Sequence, residues 1–143
     1  MKALIAMLAL LGSCSASAAS PVFYPAPGAP FSKAVRAGDT LYLSGMIGAT
    51  ADGKLPSDFA SQIQQLLENI KARTAALGLS MDDLVKCTVM LDDMGNWSQF
   101  NKIYMTYFKP DHLPARSAFA VSGLALGAAA EMECIAYVPA EAK

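Results

Sequence analysis

Arg116 stands in the run Leu113-Pro114-Ala115-Arg116-Ser117-Ala118-Phe119-Ala120-Val121 and is the only Lys or Arg between Lys109 and Lys143. A guanidinium carries a rigid fork of donors that grips a carboxylate at two points. An Arg placed where a turn becomes an alternating strand is therefore an anchor for a small carboxylic acid. Further on, Glu131-Met132-Glu133 lies in a second strand-like run. The two glutamates share one face of that strand, and such a carboxylate can carry out proton transfer. The same residues also fit a plainer reading, in which Arg116 pairs with a surface Asp and Glu133 with a Lys or Arg. His112, the single histidine, lies beside Asp111 in the loop before Leu113-Pro114. An exposed loop His is its ordinary reading, and proton shuttling its functional one. With one His and no CxxC, no zinc spacing exists, and acid–base chemistry rests on carboxylates, Tyr or water.

The elements that must position these groups follow from patterning. Ser20 to Pro30 holds Pro21, Pro25, Pro27 and Pro30 and reads as an extended arm. Phe31–Arg36 and Thr40–Ser44 form a hairpin around Ala37-Gly38-Asp39. Ser44-Gly45-Met46-Ile47-Gly48 follows, its two glycines allowing close backbone approach. Ser57 or Asp58 caps a helix over Phe59–Leu77, whose apolar stripe is Phe59, Ile63, Leu66, Leu67, Ile70, Thr74 and Leu77. Gly78 ends it, and Gln62, Gln65, Glu68, Asn69, Lys71 and Arg73 face water. Ser80-Met81-Asp82-Asp83 is a capping-box turn. Leu84–Leu91 is a strand with Val85, Cys87, Val89 and Leu91 on one side. After a loop at Asp92–Gly95, Asn96 caps a second helix, with Trp97, Phe100, Tyr104 and Phe108 as its buried stripe and Lys109-Pro110 as its end. Ser117–Val121 and Ala129–Val138 are the last strands.

The order β-β-α-β-α-β-β predicts an α+β domain, a mixed sheet with both helices on one face. The other face carries Leu84, Met90, Phe119, Val121 and Ile135 and has no helix to cover it. Self-association is the economical way to bury it.

The N-terminus has the form of a secretory signal: Met1-Lys2, an apolar run from Ala3 to Leu11, then small residues ending in Ala16-Ser17-Ala18. The domain plan is thus residues 1–19 as signal, 20–30 as arm and 31–143 as one domain. Leu11-Gly12-Ser13-Cys14 also fits a lipoprotein signal, in which Cys14 would be lipidated, the one route to a membrane. Either way the protein is exported, to the periplasm or its equivalent. Cys87 and Cys134 sit inside apolar strand runs and read as small buried hydrophobes, although export permits a disulfide. A formal charge of -1 with no basic cluster argues against a nucleic-acid partner.

Several stretches resemble a known family. They are Leu43-Ser44-Gly45-Met46-Ile47, Gln62 to Ile70, Leu77 to Val89, Phe100-Asn101-Lys102-Ile103-Tyr104, Pro114-Ala115-Arg116-Ser117 and Glu131-Met132-Glu133-Cys134-Ile135-Ala136. Over Pro30 to Tyr137 the chain is similar to the YjgF/YER/L-PSP group, the Rid (reactive intermediate deaminase) family. That resemblance implies a chorismate-mutase-like fold that trimerises through the open sheet face into a central barrel, with a ligand cleft at each of three subunit interfaces. It implies hydrolysis of 2-imino and 2-enamino acids to 2-keto acids and ammonia, with no metal and no organic cofactor. Arg116 would clamp the substrate carboxylate and Glu131 would orient the water, while Ser44, Gly45 and Asn101 would shape the cleft. Phe31, Met46 and Ala118 stand where the family commonly has Tyr, Gln and Cys. These departures imply a more apolar cleft and imines with larger apolar side chains. The alternative is a non-catalytic trimeric binding protein for small carboxylates or apolar metabolites, which would keep Arg116 and have no need of Glu131.

Overall fold

The computed structural model describes residues 20–139. The expected signal at residues 1–19, with Cys14, lies outside the described residues. Seven strands form one mixed sheet: β1 Val22–Pro25, β2 Ser32–Ala37, β3 Thr40–Leu43, β4 Met46–Ile47, β5 Leu84–Leu91, β6 Ala115–Ala120 and β7 Ala130–Tyr137. Their spatial order is β1-β2-β3-β7-β5-β6, with β4 also paired to β7. Only β5 and β6 run parallel. Helices α1 (Phe59–Ala76) and α2 (Trp97–Tyr104) pack on one face, as the element order predicts.

Helix α1 buries Ile63, Leu66, Leu67, Ile70 and Thr74, the centre of the expected stripe. Asp58 is its cap, accepting a bond from the Ser61 N–H at 2.9 Å, and Gly78 closes it in the left-handed conformation at φ +77°. Two residues read as facing water instead hold the loops in place. Asn69 donates to the carbonyls of Ile47 and Ala49, at 3.0 and 2.8 Å. Gln62 donates to the Pro56 carbonyl and accepts from the Ala129 N–H. The close approach expected at the glycines is present: a Cβ on Gly48 would overlap the Gln62 carbonyl of α1.

Four expectations need correction. The arm at 20–30 is in part a strand, because β1 pairs antiparallel with β2 from Val22↔Arg36 to Tyr24↔Ala34 before its register breaks at Pro25. Proline is tolerated on such an edge. Val85 does not share a face with Cys87. A bulge between Leu84 and Lys86 inserts it as an extra residue, so Leu84 is buried and Val85 is 49% exposed. Asp93 rather than Asn96 supplies the capping side chain before α2, through a short turn at Met94–Asn96. The two apolar-strand cysteines are joined: Cys87 lies directly across from Cys134 in the β5–β7 ladder, and they form a disulfide.

That crosslink closes a loop of 47 residues. By the chain-entropy relation it contributes about 4 kcal/mol, within a usual range of ~2–5 kcal/mol. The Cys87→Ala/Cys134→Ala variant is therefore expected to lower the urea midpoint of the purified domain substantially, and equal midpoints would show that the pair adds nothing.

Candidate active site

Pairing on β5 fixes where each candidate residue points. Cys87 pairs with Cys134 on β7 and with Arg116 on β6, and this row faces the helices. Met90 pairs with Glu131 on β7 and Phe119 on β6, while Glu131 also pairs with Ile47 on β4. The two rows are three residues apart on β5, so they project from opposite faces. Within one chain Arg116 and Glu131 therefore do not meet.

On the helix face, α2 presents a ladder of rings. Trp97 and Phe100 stack at 5.9 Å, Phe100 and Tyr104 at 5.7 Å, and Tyr104 and Phe108 at 4.6 Å. The half-buried Arg116 lies over this ladder, its Cζ 4.4 Å from the Tyr104 centroid, 4.6 Å from Trp97 and 5.9 Å from Phe100. Each such contact is worth roughly 0.5–2 kcal/mol and fixes the plane of the guanidinium. One edge is pinned, since Nη2 donates to Asn101 Oδ1 at 2.7 Å. Nη1 and the Tyr104 hydroxyl are both buried, and the two side chains lie close enough for the guanidinium to act on the phenol by charge and by hydrogen bonding. Both residues line a cavity of about 320 Å³ with Asn101, Met105, Leu113 and Pro114. Burial pushes the Tyr104 phenol above its usual range, and the nearby Arg116 offsets this only in part. Ala118 packs against the core beside this group.

Phe31, Gly45 and Met46 line a second cavity, of about 710 Å³, between β1, β2 and α1, where Lys33 and Arg73 supply positive charge. Phe31 is 58% exposed, whereas Met46 is largely buried in the core. Ser44 is held rather than free: its hydroxyl donates to the Ser32 carbonyl at 2.6 Å and its N–H to the Lys33 carbonyl at 3.2 Å.

Glu131 is partly buried and folded against the backbone of Gly45, where a Cβ would overlap its Oε1. Any side chain at Gly45 must displace this carboxylate. Glu133 stands on the same open face in a row with Thr88 and Ser117. Lys86 donates to Ser117 Oγ at 2.7 Å, and among the described residues the ion pairs are Lys54–Asp52, Lys71–Glu68 and Lys109–Asp82, none with Glu133. His112 is an exposed loop residue. Among the described residues no three of His, Cys, Asp or Glu gather to hold a metal ion.

The candidates thus form a helix-face group (Arg116, Asn101, Ala118) and a group around Gly45 (Phe31, Ser44, Met46, Glu131). Comparison with known proteins says what such a chain is. The pattern of the family described as Endoribonuclease L-PSP matches residues 23–138. The chain belongs to the YjgF/L-PSP (Rid) family. Among family members it is similar to Protein HMF1 of Saccharomyces cerevisiae, at 40% identity over 113 residues that cover 78% of this chain and 87% of the relative. It is similar to the mouse 2-iminobutanoate/2-iminopropanoate deaminase, at 39% over 114 residues covering 78% and 84%. Its fold is that of the solved RidA from an Antarctic Psychrobacter, with a TM-score of 0.74, 35% identity and coverage of 80% and 94%.

Sequence reasoning placed Trp97, Phe100 and Tyr104 in the core and missed that their outer edge cradles Arg116. The available signal was Asn101, which follows Phe100 directly and so sits on the rim of the same stripe.

Proposed function

We propose that this Rid-family chain hydrolyses 2-imino acids to 2-keto acids and ammonia, at sites completed between copies of a homotrimer. The observation that carries the reading is the opposite-face placement of Arg116 and Glu131. Two groups that one chain holds apart can meet only when a second chain is seated against it. The open sheet face supports that assembly. Tyr42, Phe119 and Tyr137 on it are 49%, 48% and 51% exposed, and Met90 and Ile135 are half-buried among them.

The chemistry asks little beyond position. The imine carbon is already electrophilic, so Arg116 holds the carboxylate and Glu131 orients a water towards that carbon. Glu131 takes a proton from the water as the C–O bond forms and passes it to the imine nitrogen, giving a carbinolamine. It then moves the hydroxyl proton to the amine as the C–N bond breaks, so that both hydrogens of the water leave on ammonia. The keto acid and ammonia leave, and no oxidant or reductant enters. The family relatives named as deaminases support this reading. The phenyl ring of Phe31 and the apolar wall near Gly45 favour substrates with apolar side chains.

An amino-acid oxidase supplying imine to the purified trimer tests the activity. Keto acid and ammonia are expected to appear faster than by spontaneous hydrolysis. If the trimer binds 2-keto acids without accelerating hydrolysis, the carboxylate-binding reading replaces this one.

Export is part of the same proposal, with residues 1–19 as signal and 20–139 within the exported domain. The Cys87–Cys134 bond supports it, since such crosslinks persist mainly in oxidising compartments. Fractionation of cells carrying the full chain tests it, and a protein confined to the cytosol would overturn it.

A further inference from the structure

The cavity of about 710 Å³ between β1, β2 and α1 has two cations and no acid among its lining residues. Lys33 comes from β2 and Arg73 from α1. The ion pairs among the described residues engage Lys54, Lys71 and Lys109, which leaves Lys33 and Arg73 without an anionic partner there. Arg73 stands in the last turn of α1, where a cation ordinarily serves the helix end. Its Nη1 instead donates across to the Lys33 carbonyl at 3.1 Å. That bond holds the guanidinium beside β2, and its other N–H groups have no protein partner among the described residues. Burial lowers the Arg73 guanidinium from its usual value, and no carboxylate beside it works the other way. Two like charges gathered at one cavity repel, and an anion bound to both relieves that cost.

The rest of the wall is apolar or already bonded. Tyr24 and the exposed Phe31 supply rings, and Ala72 and Ala76 lie one turn apart on α1 and keep that side smooth. The Asn69 amide is committed to the Ile47 and Ala49 carbonyls.

We propose that this cavity is a second binding site, for a small organic dianion with a flat apolar body, of the chemical class of an aryl phosphate. The Arg73 fork suits two phosphate oxygens and Lys33 supplies the second point of charge. A phosphate monoester carries a charge of about -1.5 to -2 at pH 7, which matches two cations, whereas a monocarboxylate leaves one of them unmet. The volume lies within the ~300–1,000 Å³ usual for small-molecule sites. Neither Arg116 nor Glu131 lines the cavity, so the proposal stands independently of the deaminase reading.

Phenyl phosphate titrated into the purified protein by calorimetry is expected to bind once per chain, with affinity falling as salt rises. Inorganic phosphate, which lacks the ring, and phenylacetate, which has one charge, should each displace it at least tenfold more weakly. Lys33→Gln should raise Kd for phenyl phosphate about tenfold with Tm unchanged, because the carbonyl that accepts from Arg73 is backbone and survives the change. Arg73→Lys should raise Kd similarly, since a point charge replaces the fork. Arg116→Ala should leave this Kd as it was. Full affinity in Lys33→Gln, or lost affinity in Arg116→Ala, would overturn the proposal. Competition by phenylacetate or inorganic phosphate on equal terms would overturn the aryl dianion class. Wild type that does not bind phenyl phosphate would reduce Arg73 to a staple between α1 and β2, with imine turnover unaffected by that result.

Discussion

Arg116→Ala is expected to lower kcat/KM for imine hydrolysis by ~10²-fold or more, through both KM and kcat. The loss in KM is that of a charge-assisted bond to the carboxylate. The loss in kcat arises because a substrate held at the wrong angle presents its imine carbon away from the water. Arg116→Lys keeps the charge and should recover little. An ammonium is a point charge without the fork, and it does not span from Asn101 on one edge to the ligand on the other. Steady-state kinetics on a single imine checks both variants, with Tm as control for the ring ladder beneath the guanidinium. Lysine performing as well as arginine would show that charge alone is needed and that the fixed plane above Trp97 and Tyr104 is incidental.

Glu131→Gln should cut kcat ~10²-fold with substrate affinity and trimer mass preserved, because the amide fits the same space against Gly45 and only the proton-accepting oxygen is lost. The pair of variants also tests the placement of the site. Mixing subunits that carry Arg116→Ala with subunits that carry Glu131→Gln, then reassembling them, should restore activity absent from either alone. Each mixed ring would contain an interface where an intact Arg116 faces an intact Glu131. If activity stays absent while mixed trimers form, the two residues do not cooperate across copies.

Much of this organisation was legible in the residues. The three-four spacing of α1, the glycines at 45 and 48 and the alternation in β7 each have one physical solution. The α+β class and the uncovered sheet face follow from element order. The misreadings share a cause, which is that local pattern carries no information about partners distant in sequence. Cys87 and Cys134 look like two small hydrophobes until the β5–β7 register sets them opposite each other. Asn69 looks like solvent-facing polarity until the backbone after β4 passes beneath it. Val85 fits a perfect alternation, and only a bulge in the partner ladder removes it from the core. The separation of Arg116 from Glu131 was hidden for the same reason. Each stands on an alternating strand, and which face each takes depends on the shared neighbour β5.

The Cys87–Cys134 bond has a consequence for fidelity. A slip of β7 by one residue along β5 would exchange its two faces, turning Glu131 into the core and putting Met132 outside. Hydrogen bonding alone discriminates weakly between neighbouring registers, and Ala130, Met132 and Ala136 are apolar enough to tolerate error nearby. A covalent link between residues directly opposite each other removes that ambiguity once formed. Oxidation therefore acts as an alignment pin, after which the Glu131 carboxylate has one face of the sheet open to it.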